Sequence, residues 1–174
     1  CCATTGMRLD ENLLVHLSDC LPEVSIVLVG PSEPGFGKSR LRRLKNVYFL
    51  GGKKPEQAPS YIQHFSICMN PQVLNPRTLG NYPRKIDEYL AAGKPVVATT
   101  TPAMEMFRDY TFLCESAGDY VSNIRGILDN PGRDSTEEKK RRRDFALTHT
   151  WENSIGALGS AFYHLEKQNP AVVL

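Results

Sequence analysis

The sequence predicts an α/β fold: a Rossmann-like, doubly wound parallel sheet flanked by helices, with further helices towards the C-terminal end. Short apolar runs rich in β-branched residues alternate with helix-like segments as far as Pro131, and only helical patterns follow. Such runs are typical of strands buried on both faces of a parallel sheet, and the alternation indicates βαβ units. A chain of 174 residues can bury one core of this kind. We therefore expect a single domain over 1–174, with 132–174 as its C-terminal helical segment.

The individual elements follow from periodicity and from residues that end helices. Leucines at three- and four-residue spacing predict an amphipathic helix from Leu9 to Leu21, which Pro22 ends. The predicted strands are 25–30, 46–51, 65–70, 94–99 and 110–115. The predicted helices are 55–64, 83–92, 102–108, 116–129, 135–148 and a last one from Trp151. We expect Trp151 to anchor that last helix in the core, with stacking on a sugar as the alternative.

Composition and charge narrow the class of protein. A formal charge of +2 with 41% hydrophobic residues is typical of a globular protein and does not favour a nucleic-acid partner. No apolar run reaches the roughly 20 residues that a membrane-spanning helix needs. We expect the basic run 139–143 to form a solvated helix face, with peripheral contact to the inner face of a membrane as the alternative.

Cysteine and histidine usage indicates neither a disulfide framework nor a metal site. The five cysteines include no CxxC pair, and the four histidines have no spacing typical of metal ligands. We therefore expect a cytoplasmic protein that needs no cofactor or metal.

The glycine-bearing segment 29–41, VGPSEPGFGKSRL, is a candidate phosphate loop that fails when its spacing is counted. A P-loop needs a glycine, then four residues, then Gly-Lys-Ser/Thr, and counting back from Gly37, Lys38 and Ser39 places Ser32 where that glycine should be. We expect this segment to be a surface loop.

A better anion site is predicted at the start of the helix over 83–92. Pro83 suits its first turn and Gly93 its C-terminal cap. Arg84 and Lys85 then fall in the first turn, where the helix dipole disfavours cations unless negative charge is near. Either an anionic ligand binds the exposed amides and Lys85, or the acidic residues of the same helix compensate locally.

Lys85 and Glu88 are three residues apart and therefore share a face of this helix. In one interpretation Lys85 binds phosphates and Glu88 binds a pair of sugar hydroxyls through charge-assisted hydrogen bonds. In the other they form a surface ion pair that contributes almost nothing. Because the helix follows a predicted strand, and open α/β sheets bind ligands at the carboxyl ends of strands, position favours the first interpretation.

Five segments together resemble a known family: LVGP, NVYFLGG, FSICMNPQ, NYPRKIDEYLAAGKPVVAT and TWENSIGALGSAFYHLE. Their order and spacing are similar to the C-terminal, nucleotide-sugar-binding half of GT-B-fold glycosyltransferases, in the group 1 branch that builds bacterial polysaccharides. The resemblance covers nearly the whole chain. It implies transfer of a sugar from a nucleotide-diphosphate donor to a glycan or lipid-linked acceptor, without a metal.

The resemblance also implies which residues bind the donor. Glu88 would hold the ribose hydroxyls, and Arg8 with Lys85 would balance the charge of the diphosphate, while Gly6 lets the backbone come close. The other implied contacts are the main chain of Phe49, Leu50 and Gly51 at the nucleobase, and Gly80, Asn81 and Tyr82 along the donor pocket.

One departure from the family pattern lies at Gly80. Related retaining enzymes often carry a second glutamate eight positions before the ribose-binding one, and here that position is Gly80. The carboxylate is absent or comes from elsewhere, with Glu105 as a candidate. The sugar and the stereochemical course therefore stay open.

The chain has no initiator Met and no room for the N-terminal acceptor domain of this fold. We expect a piece of a longer protein that binds a nucleotide-sugar but cannot turn it over alone, because transfer needs acceptor and donor held together. We also expect the apolar face of the last helix to drive self-association of this piece. Two alternatives stay open: a sugar-nucleotide 2-epimerase-like domain, and a non-catalytic nucleotide-binding or interaction module.

Overall fold

Parallel strands and helices alternate along the chain. The computed structural model describes residues 8–33, 36–76 and 78–168. The strands in these residues are β1 (Ile26–Val29), β2 (Val47–Gly51), β3 (Cys68–Asn70), β4 (Val96–Thr99) and β5 (Phe112–Cys114). The α-helices are α1 (Glu11–Cys20), α2 (Ala58–His64), α3 (Lys85–Ala91), α4 (Ala117–Leu128), α5 (Thr136–Leu147) and α6 (Trp151–Gln168).

Hydrogen bonding joins the described strands into two parallel groups. β1 pairs with β2, with Ile26 opposite Val47. β3, β4 and β5 pair in that order, with Met69 opposite Val97 and Val97 opposite Phe112. Because each pair is parallel, the chain must cross over between consecutive strands, and helices make most of these crossovers. The predicted fold class is confirmed.

Alternate residues of β4 pack on opposite faces of the sheet, so helices cover both faces. Val97 belongs to one hydrophobic core with Leu14 of α1 and Ile124 of α4. Its neighbours Val96 and Ala98 belong to a second core, formed with buried residues of α3 and α5. Successive side chains of a strand point to opposite faces, which produces this division. The arrangement is therefore doubly wound.

Two of the predicted helices take a tighter form than expected. The segment 55–64 begins as a 3₁₀ helix over Pro55–Gln57 and becomes α-helical only from Ala58. Pro59 has no N–H to donate to the carbonyl of Pro55, so that α-helical hydrogen bond cannot form. The segment predicted as a helix over 102–108 is a 3₁₀ helix that extends over Pro102–Tyr110.

α3 ends as predicted, although it begins later, at Lys85. Gly93 has a φ of 74°, in the left-handed region that favours glycine, and its N–H donates to the carbonyl of Leu90 over 2.8 Å. A Cβ at this position would lie 3.0 Å from Nε of Arg143. The prediction that Gly93 closes this helix is confirmed.

The basic run 139–143 lies on α5, and only part of it is a solvated face. Lys140 pairs with Asp144 in solvent, as predicted. Arg142, in contrast, is 2% exposed, and its Nη1 donates to the carbonyl of Gly93 and to Asp134 Oδ1, each over 3.0 Å. The prediction is wrong for Arg142, because this guanidinium holds α5 against the end of α3.

α6 does not pack as the sequence predicts. Trp151 is 69% exposed, so the prediction that it anchors the helix in the core is wrong. The other large apolar side chains described on α6 are also more than half exposed: Ile155, Leu158, Phe162, Tyr163 and Leu165. Periodicity identified the helix correctly, but no core among the described residues covers its apolar face. No described helix has the length and apolar content to cross a membrane.

Candidate functional site

A cavity of about 280 Å³ opens beyond the carboxyl end of β3. Its walls come from the first described residues, from the end of β3 and from the segment that leads into α3. This is the edge at which open α/β sheets bind ligands. The lining residues are Arg8, Leu9, Asn70, Pro71, Gln72, Asn81, Tyr82, Pro83, Arg84 and Lys85.

Main-chain hydrogen bonds fix Arg8 at this edge. Leu9 forms an antiparallel bridge with Gln72, and the N–H of Val73 donates to the carbonyl of Arg8 over 3.1 Å. The buried hydroxyl of Thr78 donates to the carbonyl of Val73 over 2.6 Å, which orders the loop on the other side. The backbone of Arg8 is therefore positioned by the sheet and by the loop that follows β3.

Basic side chains dominate the charge at this cavity. Arg8, Arg84 and Lys85 line it, and no acidic residue is among the described residues that do. Several positive charges around a concave surface attract anions and raise their local concentration. Among the described residues, no three His, Cys, Asp or Glu side chains are placed to hold a metal ion. The cavity suits an anion with more than one negative charge.

Three larger cavities are less suited to such an anion. One of about 390 Å³ lies at the amino ends of β1 and β3, and its lining is apolar apart from Glu23, His64 and serines. Another, of about 560 Å³, is lined by Asp10 and Glu115 and by no Lys or Arg. Neither offers the cations that phosphates require. A third, of about 310 Å³, is lined by Arg133, Arg141 and Arg142, but also by Asp109 and Glu138, and Arg141 and Arg142 pair with carboxylates. We therefore place the candidate site at the smaller, basic cavity.

Tyr82 forms part of the wall through a hydrogen-bonded chain. Its hydroxyl donates to Asp87 Oδ2 over 2.7 Å, and Asp87 Oδ1 lies 2.9 Å from Nδ1 of His149. Partial burial, followed by the hydrogen bond and the charge of Asp87, raises the pKa of the Tyr82 phenol far above its usual range. The phenol is therefore neutral at physiological pH and adds no negative charge to the cavity.

Glu88 lies one turn further along α3, is exposed and does not line the cavity. It forms no hydrogen bond or ion pair through its side chain with any described residue, so the predicted alternative of an ion pair with Lys85 is wrong. Asp87 is bound to Tyr82 and His149 instead of Arg84 or Lys85. Local compensation of the two cations by this helix is therefore not observed among the described ion pairs.

The amides of α3 contribute less than the sequence suggests. The helix has seven residues, and its first turn uses local acceptors: the N–H of Ile86 donates to the carbonyl of Pro83, and that of Arg84 to Tyr82. A short helix with satisfied amides has little dipole to offer. The positive charge at the cavity is therefore mainly that of side chains.

The residues implied for the nucleobase lie apart from the cavity. Phe49, Leu50 and Gly51 belong to β2, and none of them lines it. The guanidinium of Arg42 lies 4.5 Å from the centre of the Phe49 ring, and the Gly51 carbonyl accepts from the N–H of Gly30 over 3.0 Å. The Gly51 carbonyl therefore already accepts a hydrogen bond within the sheet. Leu50, in contrast, is 40% exposed.

Of the predicted site residues, the structure brings Arg8, Asn81, Tyr82 and Lys85 together at one cavity. Gly80 is exposed in the loop beside it, with open space around an added Cβ, while Gly6 lies outside the described residues.

Sequence reasoning missed Asn70 and Gln72 in the lining. The available signal was a polar residue at the end of an apolar strand.

The segment 29–41 takes no part in the cavity. Its described residues include short 3₁₀ helices over Phe36–Lys38 and Arg40–Arg43, and Pro34 and Gly35 lie outside the described residues. The decision against a phosphate loop here agrees with this geometry.

Solved structures share the fold. Sucrose-phosphate synthase from Thermosynechococcus elongatus superimposes with a TM-score of 0.72 at 20% identity, covering 97% of this chain and 46% of that one. HepE from Anabaena, in complex with UDP and glucose, superimposes with a TM-score of 0.67 at 20% identity, covering 92% and 48%. Both are similar to this chain in fold, and these structural neighbours are GT-B glycosyltransferases.

Sequence comparison establishes the family. Residues 11–130 match the family described as Glycosyl transferases group 1, and the chain belongs to it. It is also 29% identical over 150 residues to the putative teichuronic acid biosynthesis glycosyltransferase TuaH of Bacillus subtilis (strain 168), covering 83% of this chain and 37% of TuaH. The chain thus spans less than half the length of these relatives. The resemblance stated from the sequence is confirmed, and nothing favours the epimerase-like or interaction-module alternatives.

Proposed function

We propose that this chain binds the diphosphate of a nucleotide-sugar in the basic cavity, as the donor-binding part of a glycosyltransferase. The observation that carries the proposal is the meeting of Arg8 and Lys85, from two separate segments, at the carboxyl end of β3. A nucleoside diphosphate attached to a sugar carries two negative charges, which two cations balance. Charge-assisted hydrogen bonds from such cations are stronger than neutral ones.

Glu88 is the proposed contact to the ribose hydroxyls. It is exposed on the helix whose first residue, Lys85, lines the cavity, and its carboxylate has no hydrogen-bonding partner among the described residues. A ligand that extends from the cavity along α3 would reach it. Phe49, Leu50 and Gly51 are the proposed neighbours of the base, and Asn81 and Tyr82 those of the sugar or phosphate.

The whole protein, in this proposal, transfers a hexose to a glycan or a lipid-linked acceptor. Two comparisons support it: HepE was solved with UDP and glucose, and TuaH is described as a teichuronic acid biosynthesis glycosyltransferase. We propose that transfer occurs in the cytoplasm, at the inner face of the membrane, and needs no metal. The acceptor would meet this chain through a further domain, so the chain alone binds the donor without transferring its sugar.

Titration of UDP, GDP and ADP by calorimetry tests the proposal. We expect one nucleotide to bind the wild-type chain. Lys85→Ala should weaken the binding of that nucleotide by about 1.5–3 kcal/mol, because it removes a charged hydrogen-bond donor to the phosphates. Glu88→Ala should weaken it by at least about 1.5 kcal/mol for the same reason at the ribose.

Lys45→Ala is the matched control, because it removes one exposed cation away from the cavity. It should leave the affinity unchanged. Binding of no nucleotide, or equal losses in the Lys45 and Lys85 variants, would contradict the proposed site.

A further inference from the structure

Asn70 is a buried polar residue in the lining of the basic cavity, and it is not among the proposed contacts to the diphosphate. It is the last residue of β3, where it pairs with Ala98 of β4, and it is 2% exposed. Its backbone carbonyl accepts a hydrogen bond from the hydroxyl of Tyr120 over 2.9 Å. Its side-chain carboxamide forms no hydrogen bond with any described residue.

Asn70 lines the basic cavity, and none of the described residues pairs with its carboxamide. Leaving an amide unpaired at this depth is unfavourable, and a ligand group that hydrogen-bonds to it would relieve the cost.

A second amide in the lining, that of the half-buried Gln72, is already engaged. Nε2 of Gln72 donates to the carbonyl of Thr78 over 2.8 Å, and its backbone N–H donates to Oγ1 of Thr99 over 3.1 Å. Asn81, the third amide in the lining, is exposed. Among the described residues, Asn70 is therefore the buried amide of this cavity whose carboxamide has no hydrogen-bonding partner.

The chemistry of a carboxamide selects the part of the ligand. Its oxygen accepts and its NH₂ donates, whereas phosphate oxygens only accept and already have Arg8 and Lys85 nearby. A sugar hydroxyl both donates and accepts, so it can satisfy both halves of the amide. We infer that Asn70 binds a hydroxyl of the donor sugar and helps to determine which sugar this site accepts. The inference rests on the proposed donor-binding function.

Comparison of a nucleotide with its sugar conjugates tests this. The dissociation constants of UDP, UDP-glucose, UDP-galactose and UDP-N-acetylglucosamine are measured for the wild-type chain, Asn70→Ala and Asn70→Val. If UDP does not bind, the corresponding GDP and ADP series replaces it. We expect both variants to bind the preferred sugar conjugate about 3- to 10-fold more weakly, the effect of one lost neutral hydrogen bond, and to bind the bare nucleotide unchanged.

The variants keep the backbone bond to Tyr120, and valine suits a strand, so either can serve if the other unfolds. Asn12→Ala, an exposed position on α1, is the control and should change neither constant.

Four outcomes decide the matter. Loss confined to the sugar conjugate supports the inference. If the Asn70 variants lose affinity equally for the nucleotide and its sugar conjugate, the inference is overturned while the proposed function stands. The same holds if the wild-type chain binds the nucleotide and its conjugates with equal affinity. If the wild-type chain binds no nucleotide at all, the proposed function fails, and this inference fails with it.

Discussion

Helices α5 and α6 follow one another along the chain, and the burial of each is the opposite of what its composition predicts. α5 carries the basic run, yet it buries Arg142 and contributes Ala146 to a hydrophobic core. α6 carries a regular apolar face, yet Trp151, Leu158 and Phe162 are more than half exposed. A helix becomes buried only where a partner surface exists, and the end of α3 provides one for α5. Periodicity therefore predicts that a helix forms better than it predicts what the helix covers.

The largest expected effect that would test this comparison is at Arg142. Arg142→Ala leaves the carbonyls of Gly93 and Arg133 and one oxygen of Asp134 without their donor. Because Asp134 keeps some exposure, we expect a loss of about 3 kcal/mol, the lower end for breaking a buried ion pair. Urea unfolding measures it. Lys140→Ala, which breaks only an exposed pair, should change little, and equal losses in the two variants would contradict a buried role for Arg142.

A smaller effect is expected at Gly93, where α3 meets α5. Gly93→Ala places a side chain at a φ of 74° and 3.0 Å from the Arg143 guanidinium, which can move aside. A side chain at this positive φ costs roughly 1 kcal/mol through the backbone alone. We therefore expect Gly93→Ala to lower the free energy of unfolding by about that amount, measured by thermal unfolding. Gly37→Ala is the matched control, since its added Cβ meets nothing within 4 Å. A Gly93 variant as stable as the Gly37 variant would show that the left-handed turn is not required.

The smallest effect on stability is expected on α6. Combining Leu158→Lys with Phe162→Lys should change the free energy of unfolding by no more than about 0.5 kcal/mol, as for other exposed sites. Leu90→Ala, in the core under α3, should cost about 2–5 kcal/mol. If the α6 face drives self-association, the double variant should elute later than wild type in gel filtration. A large loss of stability in the double variant would mean that α6 packs on the domain after all.

Most of the fold could be predicted because local signals agreed with one another. Apolar runs located every strand to within a few residues, and Gly93 marked the end of α3 correctly. The errors arose where one residue changed the local hydrogen bonding or where packing decided the outcome. Pro59 prevents an α-helical bond at the start of α2, and the burial of Arg142 depends on a carbonyl far away in sequence.

The candidate site was predicted in part, for a related reason. Arg8 and Lys85 were chosen for their charge and their positions after predicted strands, and the structure brings both to one cavity. Asn70 was missed because a single polar residue at the end of an apolar run gives no periodic signal. The bridge between Leu9 and Gln72, which places Arg8, is a pairing that no local pattern specifies.

Asp87 has two partners, and they belong to different parts of the domain. One oxygen holds the phenol of Tyr82 in the cavity wall, and the other holds the imidazole of His149, just before α6 begins. Through this shared carboxylate, the residues that lead into α6 are connected by hydrogen bonds to the wall of the cavity where the ligand is proposed to bind. The cavity wall and the start of α6 therefore share one anchoring carboxylate.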